Sequence, residues 1–205
     1  MQGPVKAEFW NERYRGEEYA YGAEPNDFLR AHAGLFGKGA RILSLAEGEG
    51  RNAVFLAQQG CFVRGVDFSE EGQRKALRLA ASRGVAIEYE LADLTQYDPG
   101  EQIWDGVVSV FCHMAEHERP ALYRRVAAAL KPGGIFLLES YNKGQLELGT
   151  GGPKDASYLL AKEDLEQAFE GFEILLAQDL FRTVEEGEHH RGRSSVTQFL
   201  ARKPL

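Results

Sequence analysis

A chain of 205 residues, 43% hydrophobic and 27% charged, can build one domain with a sizeable core, and nothing in its composition suggests a disordered or fibrous protein. Its formal charge of -7 argues against a broad nucleic-acid surface, since sequence-independent affinity for phosphates comes mainly from clustered Lys and Arg; a small-molecule partner is the better expectation. Cys61 and Cys112 are far apart and in no CxxC arrangement, so neither a disulfide framework nor a cysteine-built metal site is expected, and a reducing cytoplasm fits. The first residues lack the apolar core of a signal peptide, and no stretch approaches the ~20 apolar residues of a membrane span, so neither export nor anchoring is expected.

In chain order, residues 5–16 can form a short helix, and Asp27 to Phe36 a second, with Phe28, Leu29, Ala31 and Leu35 on its apolar side. Arg41 to Ala46 reads as a buried strand. Gly48 and Gly50 then let the backbone turn sharply, Asn52 to Gln59 has helical spacing, and Gly60 ends it. Phe62 to Val66 is a second strand that delivers Asp67 to its carboxyl end, where an acid can accept hydrogen bonds from both hydroxyls of a ribose. Ser69 caps a helix that stops at Gly84, and Ile87 to Leu91 is a third strand.

Val107 to Phe111 is a β-branched run suited to burial on both faces. A helix with Pro120 near its start follows, ended by Pro132, and Gly133-Gly134 leads into a strand from Ile135 to Ser140. Residues 141–161 form a Gly-rich connection, and Lys162 to Glu170 one more helix. Phe172 to Thr183 and Ser195 to Arg202 are strands joined by a polar segment with no helix between them, which implies an antiparallel hairpin. The expected architecture is α/β, a doubly wound, mostly parallel seven-stranded sheet with helices on both faces and that hairpin at its end. One domain spans 1–205: N-terminal helices or lid over 1–36, a cofactor-binding core over 37–140, a substrate-side loop over 141–161, and a helix with the hairpin over 162–205.

The glycine loop by itself also satisfies the permissive dinucleotide fingerprint, with Ala in place of the third glycine, so a nicotinamide-dependent oxidoreductase is the first alternative. Several motifs in order favour another reading. Ser44-Leu45-Ala46-Glu47-Gly48-Glu49-Gly50, Asp67, Ala92-Asp93-Leu94, Asp105-Gly106-Val107-Val108-Ser109 and Leu130-Lys131-Pro132-Gly133-Gly134 together resemble the class I S-adenosylmethionine-dependent methyltransferases. Phe9 to Tyr14, Tyr21-Gly22 with Pro25-Asn26, Gly50-Arg51-Asn52, and Glu186-Gly187 with His190 and Gly192 resemble the small tellurite-resistance-type branch.

The resemblance implies a Rossmann-like methyltransferase fold, S-adenosyl-L-methionine as cofactor, S-adenosyl-L-homocysteine as product and a small-molecule methyl acceptor. It implies a cofactor site built from Trp10, Tyr21, Leu45, Ala46, Glu47, Gly48, Gly50, Asn52, Asp67, Phe68, Ala92, Asp93, Leu94, Val110 and Phe111. This chain departs from the family pattern where Ser44 stands for the usual acid and Ala46 for the first glycine, and Glu47 could replace the lost carboxylate. His113, just after the fourth strand, is the first candidate for a base and Tyr21 the second, although packing beside the cofactor is the more ordinary role for both. No metal is expected: Cys112, His113, Glu116 and His117 lack metal-ligand spacing, and His189-His190 reads as solvated hairpin. A non-catalytic S-adenosylmethionine-binding protein is the second alternative, and the chain is expected to be a monomer or weak homodimer.

Overall fold

The structure is a computed structural model that describes residues 7–187 and 190–205. A sheet in the order β3-β2-β1-β4-β5-β7-β6 forms its centre. The strands are β1 (Arg41–Leu45), β2 (Phe62–Asp67), β3 (Glu88–Leu91), β4 (Trp104–Val110), β5 (Leu130–Tyr141), β6 (Glu173–Glu186) and β7 (His190–Arg202). The first five run parallel, and β7 is antiparallel to both β5 and β6. The helices are α1 (Ala7–Tyr14), α2 (Asp27–His32), α3 (Arg51–Gln58), α4 (Glu70–Ser82), α5 (Arg119–Ala129) and α6 (Lys162–Ala168).

The two-residue period of the strands sends successive side chains into two separate cores. Val108, Val110, Ile135 and Leu137 pack on one face with Phe28 and Leu29 of α2 and Ala53 and Leu56 of α3. Val107, Phe136 and Leu138 pack on the other face with Leu122 and Val126 of α5 and Leu165 of α6. A sheet covered on both sides binds ligands at the carboxyl ends of its strands, where the order reverses, here between β1 and β4.

Several boundaries differ from expectation for local reasons. Only Asp27–His32 is α-helical in the second segment; a 3₁₀ turn follows at Ala33–Leu35, so Phe28, Leu29, Ala33 and Phe36 are buried while Ala31 and Leu35 face solvent. α5 ends at Ala129, before Pro132, because Leu130 already pairs with Trp104 of β4; Gly133 and Gly134 fall inside β5 where the register slips. Residues 141–161 hold two short 3₁₀ turns, Lys143–Glu147 and Ala156–Tyr158, tied by a bridge between Asn142 and Leu160. The hairpin is longer than its hydrophobic pattern suggested, since pairing continues through the polar residues to Glu186 and His190. His189 and residues 5–6 of the first helix lie outside the described residues.

Candidate active site

One cavity of about 250 Å³ opens at the carboxyl ends of β1, β2 and β4. The turn from β1 into α3 forms its floor. Ala46 takes a left-handed backbone with φ +49°, the conformation the usual glycine would adopt without strain, and Gly48 and Gly50 follow at +59° and +93°. Gly50 is the N-cap of α3 and lies against α4, where an added Cβ would stand 2.6 Å from Cα and Cβ of Ala76. At Gly48 an added Cβ would stand 2.7 Å from Tyr14 Oη. The first glycine of this pair meets the N-terminal cover, and the second seats one helix on another.

Glu47 replaces the missing acid of β1 by reaching back into its place. Its Oε1 accepts the backbone N–H groups of Asn52 and Ala53 at 3.1 and 2.9 Å, and its Oε2 accepts from the Ser44 hydroxyl. Gly65 of β2 makes room, since a Cβ there would meet Glu47 Cγ at 3.0 Å. The carboxylate thus serves first to cap α3 and brace the loop. Burial pushes its pKa up to about 7, against the opposing pull of the Ala53 N–H and the Ser44 hydroxyl.

Asp67 is buried rather than at an open strand end, and its carboxylate accepts from Gly48 N at 3.0 Å and Ser69 N at 2.9 Å. Burial raises its pKa, offset in part by those N–H groups. The same side chain that faces the cavity therefore also holds the glycine loop against β2. Glu49 turns the other way and pairs at 2.6 Å with Lys75, which is wholly buried and donates to Gly16 O and Glu18 O. Tyr21 N donates to Glu49 Oε2 at 3.3 Å, so the N-terminal segment is fastened to the glycine loop.

Most of the expected site residues meet in this cavity. Ala46, Glu47, Gly48 and Asn52 line its floor, with Asp67 and Phe68 after β2 and Asp93 and Leu94 after β3. Val110 and Phe111 end β4, and Trp10, Tyr14 and Tyr21 form the cover. Leu45, Gly50 and Ala92 do not reach it: Leu45 and Ala92 pack into the core beneath, and Gly50 is spent on the contact with α4. Phe111 has φ +50°, a left-handed backbone for a bulky residue, which turns the chain across the strand ends and carries Cys112, His113 and Met114 along the rim. Burial drives the Cys112 thiol up to about 12, so it stays protonated and unreactive.

Arg51 and His113 both line the cavity and carry polar atoms without a hydrogen-bond partner among the described residues. Arg51, at the first position of α3 and 7% exposed, pairs through Nη2 with Glu186 at 2.6 Å while its Nη1 is unpartnered. His113 has both ring nitrogens shielded and unpartnered, and burial lowers its pKa to about 4. Tyr21 accepts from Arg13 at 3.3 Å, and burial raises its pKa, which makes it a phenol at neutral pH rather than a base.

Sequence reasoning missed Arg51 and misplaced His190. His190 is buried, with its ring 4.4 Å from Tyr21 and 4.3 Å from Phe111, and it lines the cavity. Behind it, Glu186 joins Arg51 to Arg182, which also pairs with Glu139, and Asn26 donates to both carboxylates at 2.9 and 2.7 Å. Burial alone would raise the Glu186 carboxyl, but Arg51 and Arg182 outweigh it and hold it below its usual range. The signal was present as Glu186 and His190 flanking a turn, yet polar residues at a hairpin tip ordinarily face water. Arg191 and Arg193 do, and Arg193 lies over the Phe181 ring.

This arrangement defines a doubly wound α/β domain with a glycine turn and a buried acid lining a cavity at the switch point of its sheet, the place where such folds take their ligands. A family model described as a methyltransferase domain matches residues 42–134. The chain is 27% identical over 186 residues to the sterol 24-C-methyltransferase of Eremothecium gossypii, covering 81% of this chain and 49% of that protein. It is 32% identical over 120 residues to the ubiquinone biosynthesis O-methyltransferase of Idiomarina loihiensis, covering 57% and 48%. It thus spans about half the length of these curated relatives. TehB from Haemophilus influenzae has the same fold, with a TM-score of 0.71 at 18% identity over 96% of this chain and 66% of that one. Residues 42–134 thus match a methyltransferase domain, and the chain is similar to S-adenosylmethionine-dependent methyltransferases in sequence and fold.

Proposed function

We propose that this protein transfers the methyl group of S-adenosylmethionine to a small molecule. The observation that carries this reading is Arg51: a guanidinium at the floor of the cavity with one nitrogen paired and the other buried without a partner, beside the glycine loop. An unsatisfied buried donor costs about 1–3 kcal/mol, and the carboxylate of the cofactor's amino-acid tail would satisfy it. Asp67 would receive the ribose hydroxyls, Phe68 and Leu94 the adenine faces, and Asp93 its exocyclic amine. Trp10, Tyr14 and Tyr21 close over the tail and exclude water.

The bound cofactor supplies a sulfonium-activated methyl group, so the protein's main task is to orient a nucleophile, which is worth up to ~7–11 kcal/mol in well-aligned reactions. His113 and Tyr21 stand on the acceptor side of the cavity, the first as acceptor of a proton and the second as a hydroxyl donor. The related proteins methylate carbon in one case and oxygen in the other by their names, so the likeness does not fix the acceptor atom. Residues 7–36, through Trp10, Tyr14 and Tyr21, act as a lid. Of residues 141–161 only Tyr158 lines the cavity, which makes that connection a wall with one contact. Two free cysteines support a reducing, cytoplasmic setting, and a monomer or weak homodimer with no nucleic-acid partner suits the charge of -7. Among the described residues no helix is long and apolar enough to cross a membrane.

Isothermal calorimetry tests the reading. S-adenosylmethionine and S-adenosylhomocysteine are expected to bind saturably, and NAD(H) and NADP(H) to give no heat. The reverse pattern would replace the methyltransferase with an oxidoreductase.

A further inference from the structure

Residues 15–26, between α1 and α2, form neither helix nor strand, yet they join the parts of the cavity's cover. Trp10 and Tyr14 precede this segment on α1, and Tyr21 lies within it. Tyr14 Oη stands so close to the glycine loop that an added Cβ on Gly48 would meet it at 2.7 Å. A ligand tail laid on that loop is beneath the cover, and it enters or leaves only when the cover moves.

Apolar burial does not hold the start of this segment down, because Arg15, Gly16, Glu17 and Glu18 are all exposed. Cations from α4 hold it instead, and they grip its backbone. Lys75 donates to the carbonyl of Gly16 at 2.9 Å and to that of Glu18, and Arg78 donates to the carbonyl of Glu17 at 3.1 Å. Lys75 is wholly buried although it lines no part of the cavity, and its ammonium also pairs with Glu49 Oε1 at 2.6 Å and lies 4.9 Å from the centre of the Tyr19 ring. The Tyr19 hydroxyl donates back to the Lys75 carbonyl at 3.2 Å. Glu49 belongs to the glycine loop and accepts Tyr21 N with its second oxygen. One buried ion pair therefore ties the cover, α4 and the floor together. Burying a lysine is favourable only where its contacts offset the desolvation, and every oxygen that this ammonium meets belongs to the cover or the glycine loop.

We propose that Lys75 is a positioning residue whose ammonium, paired with Glu49, pegs the cover to the glycine loop and sets the rates at which the cofactor enters and leaves. The proposal rests on the methyltransferase reading above. Lys75 touches neither cofactor nor acceptor, so it acts on the balance between closed and open cover. With the peg in place the open form is scarce, and both entry and release wait for it. Removing the peg raises the open population, so both rates rise together, while affinity, which depends on their ratio, changes less. A lysine that only braced the fold would behave otherwise: its loss would distort the site, quicken release and slow entry.

The test follows S-adenosylhomocysteine binding to the full chain by stopped-flow fluorescence, with Trp10 of the cover as reporter. Lys75→Met keeps most of the side chain's length and removes the peg. Dissociation should quicken at least roughly tenfold, the scale set by losing charge-assisted contacts, and association should quicken as well. Hydrogen exchange should speed up across residues 15–22. Glu49→Gln, which keeps an acceptor for Tyr21 N, should shift the same quantities in the same direction by less, and it decides the matter should the first variant fail to fold. Arg83→Met serves as control: it removes an exposed pair with Glu24 on the same segment and should leave both rates within roughly twofold. Unchanged dissociation, faster dissociation with slower association, quickened exchange confined to residues 46–50, or an equal effect of Arg83→Met each overturns the proposal. Failure of the native protein to bind S-adenosylhomocysteine would instead sink the methyltransferase reading.

Discussion

The floor and the rim of the cavity follow opposite rules. On the floor, Glu47, Asp67 and Glu49 each hold backbone N–H groups or Lys75, so the glycine turn is braced by polar contacts made within the protein. At the rim the surfaces are aromatic, and the polar atoms of His113 have no partner among the described residues. A floor whose carboxylates are engaged in advance keeps its geometry when a ligand leaves, with Arg51 Nη1 left for that ligand to meet. On the function proposed, the difference assigns rigidity to the cofactor side and selectivity to the acceptor side.

Five changes would break or sharpen this contrast. The largest effect should come from Glu186→Ala, which leaves Arg51 and Arg182 buried without their shared carboxylate. Breaking a buried pair by removing one partner costs about 3–5 kcal/mol, so chemical denaturation should show a loss of that order. A loss below about 1 kcal/mol would mean that the floor does not depend on the hairpin.

Next is the pH response of Glu47. Its folded pKa of about 7 lies above the ordinary glutamate value, so the folded state binds its proton more tightly than the unfolded chain does. The stability this confers is complete below the unfolded pKa of about 4.3 and is lost as pH rises through 7, a span worth about 3.7 kcal/mol. Glu47→Gln should remove that dependence, so the variant gains on the native protein between pH 5 and pH 8. Parallel stability curves in urea at the two pH values would show that Glu47 ionises normally.

Gly50→Ala should cost roughly 2–3 kcal/mol, because the new Cβ meets Ala76 and the backbone lies at φ +93°. Gly48→Val should instead impair cofactor binding more than folding, since its obstacle is the movable Tyr14 ring of the cover. Melting temperature and calorimetry on both variants separate the two effects. Equal damage to stability would mean that the turn is only structural.

The smallest expected effect is that of Asp67→Ala. Loss of a carboxylate that would receive ribose hydroxyls should weaken S-adenosylhomocysteine by roughly tenfold or more, or about 1.5–3 kcal/mol. Because the same carboxylate holds Gly48 N and Ser69 N, hydrogen exchange in the loop should also quicken. Unchanged affinity in the folded variant would remove Asp67 from the ribose site.

The amino-acid sequence by itself determined the order of elements, the parallel sheet with its terminal hairpin, and the glycine turn with Asp67 after it. These follow from contacts between near neighbours: two-residue alternation in strands, left-handed glycines, and a serine cap at Ser69 that accepts from Gly72 N. Only the tertiary structure decided the rest. Glu47 could be seen as a replacement acid, but that it would cap α3 depends on the space left by Gly65 in the neighbouring strand. The sequence places Asp67 at a strand end, but its burial comes from the loop folding over it. Arg51, Glu186 and His190 lie far apart along the chain or in a polar stretch that alone would face water. They are buried because the hairpin folds back over α3, and a charge is stable there only once its partner from a distant segment has arrived.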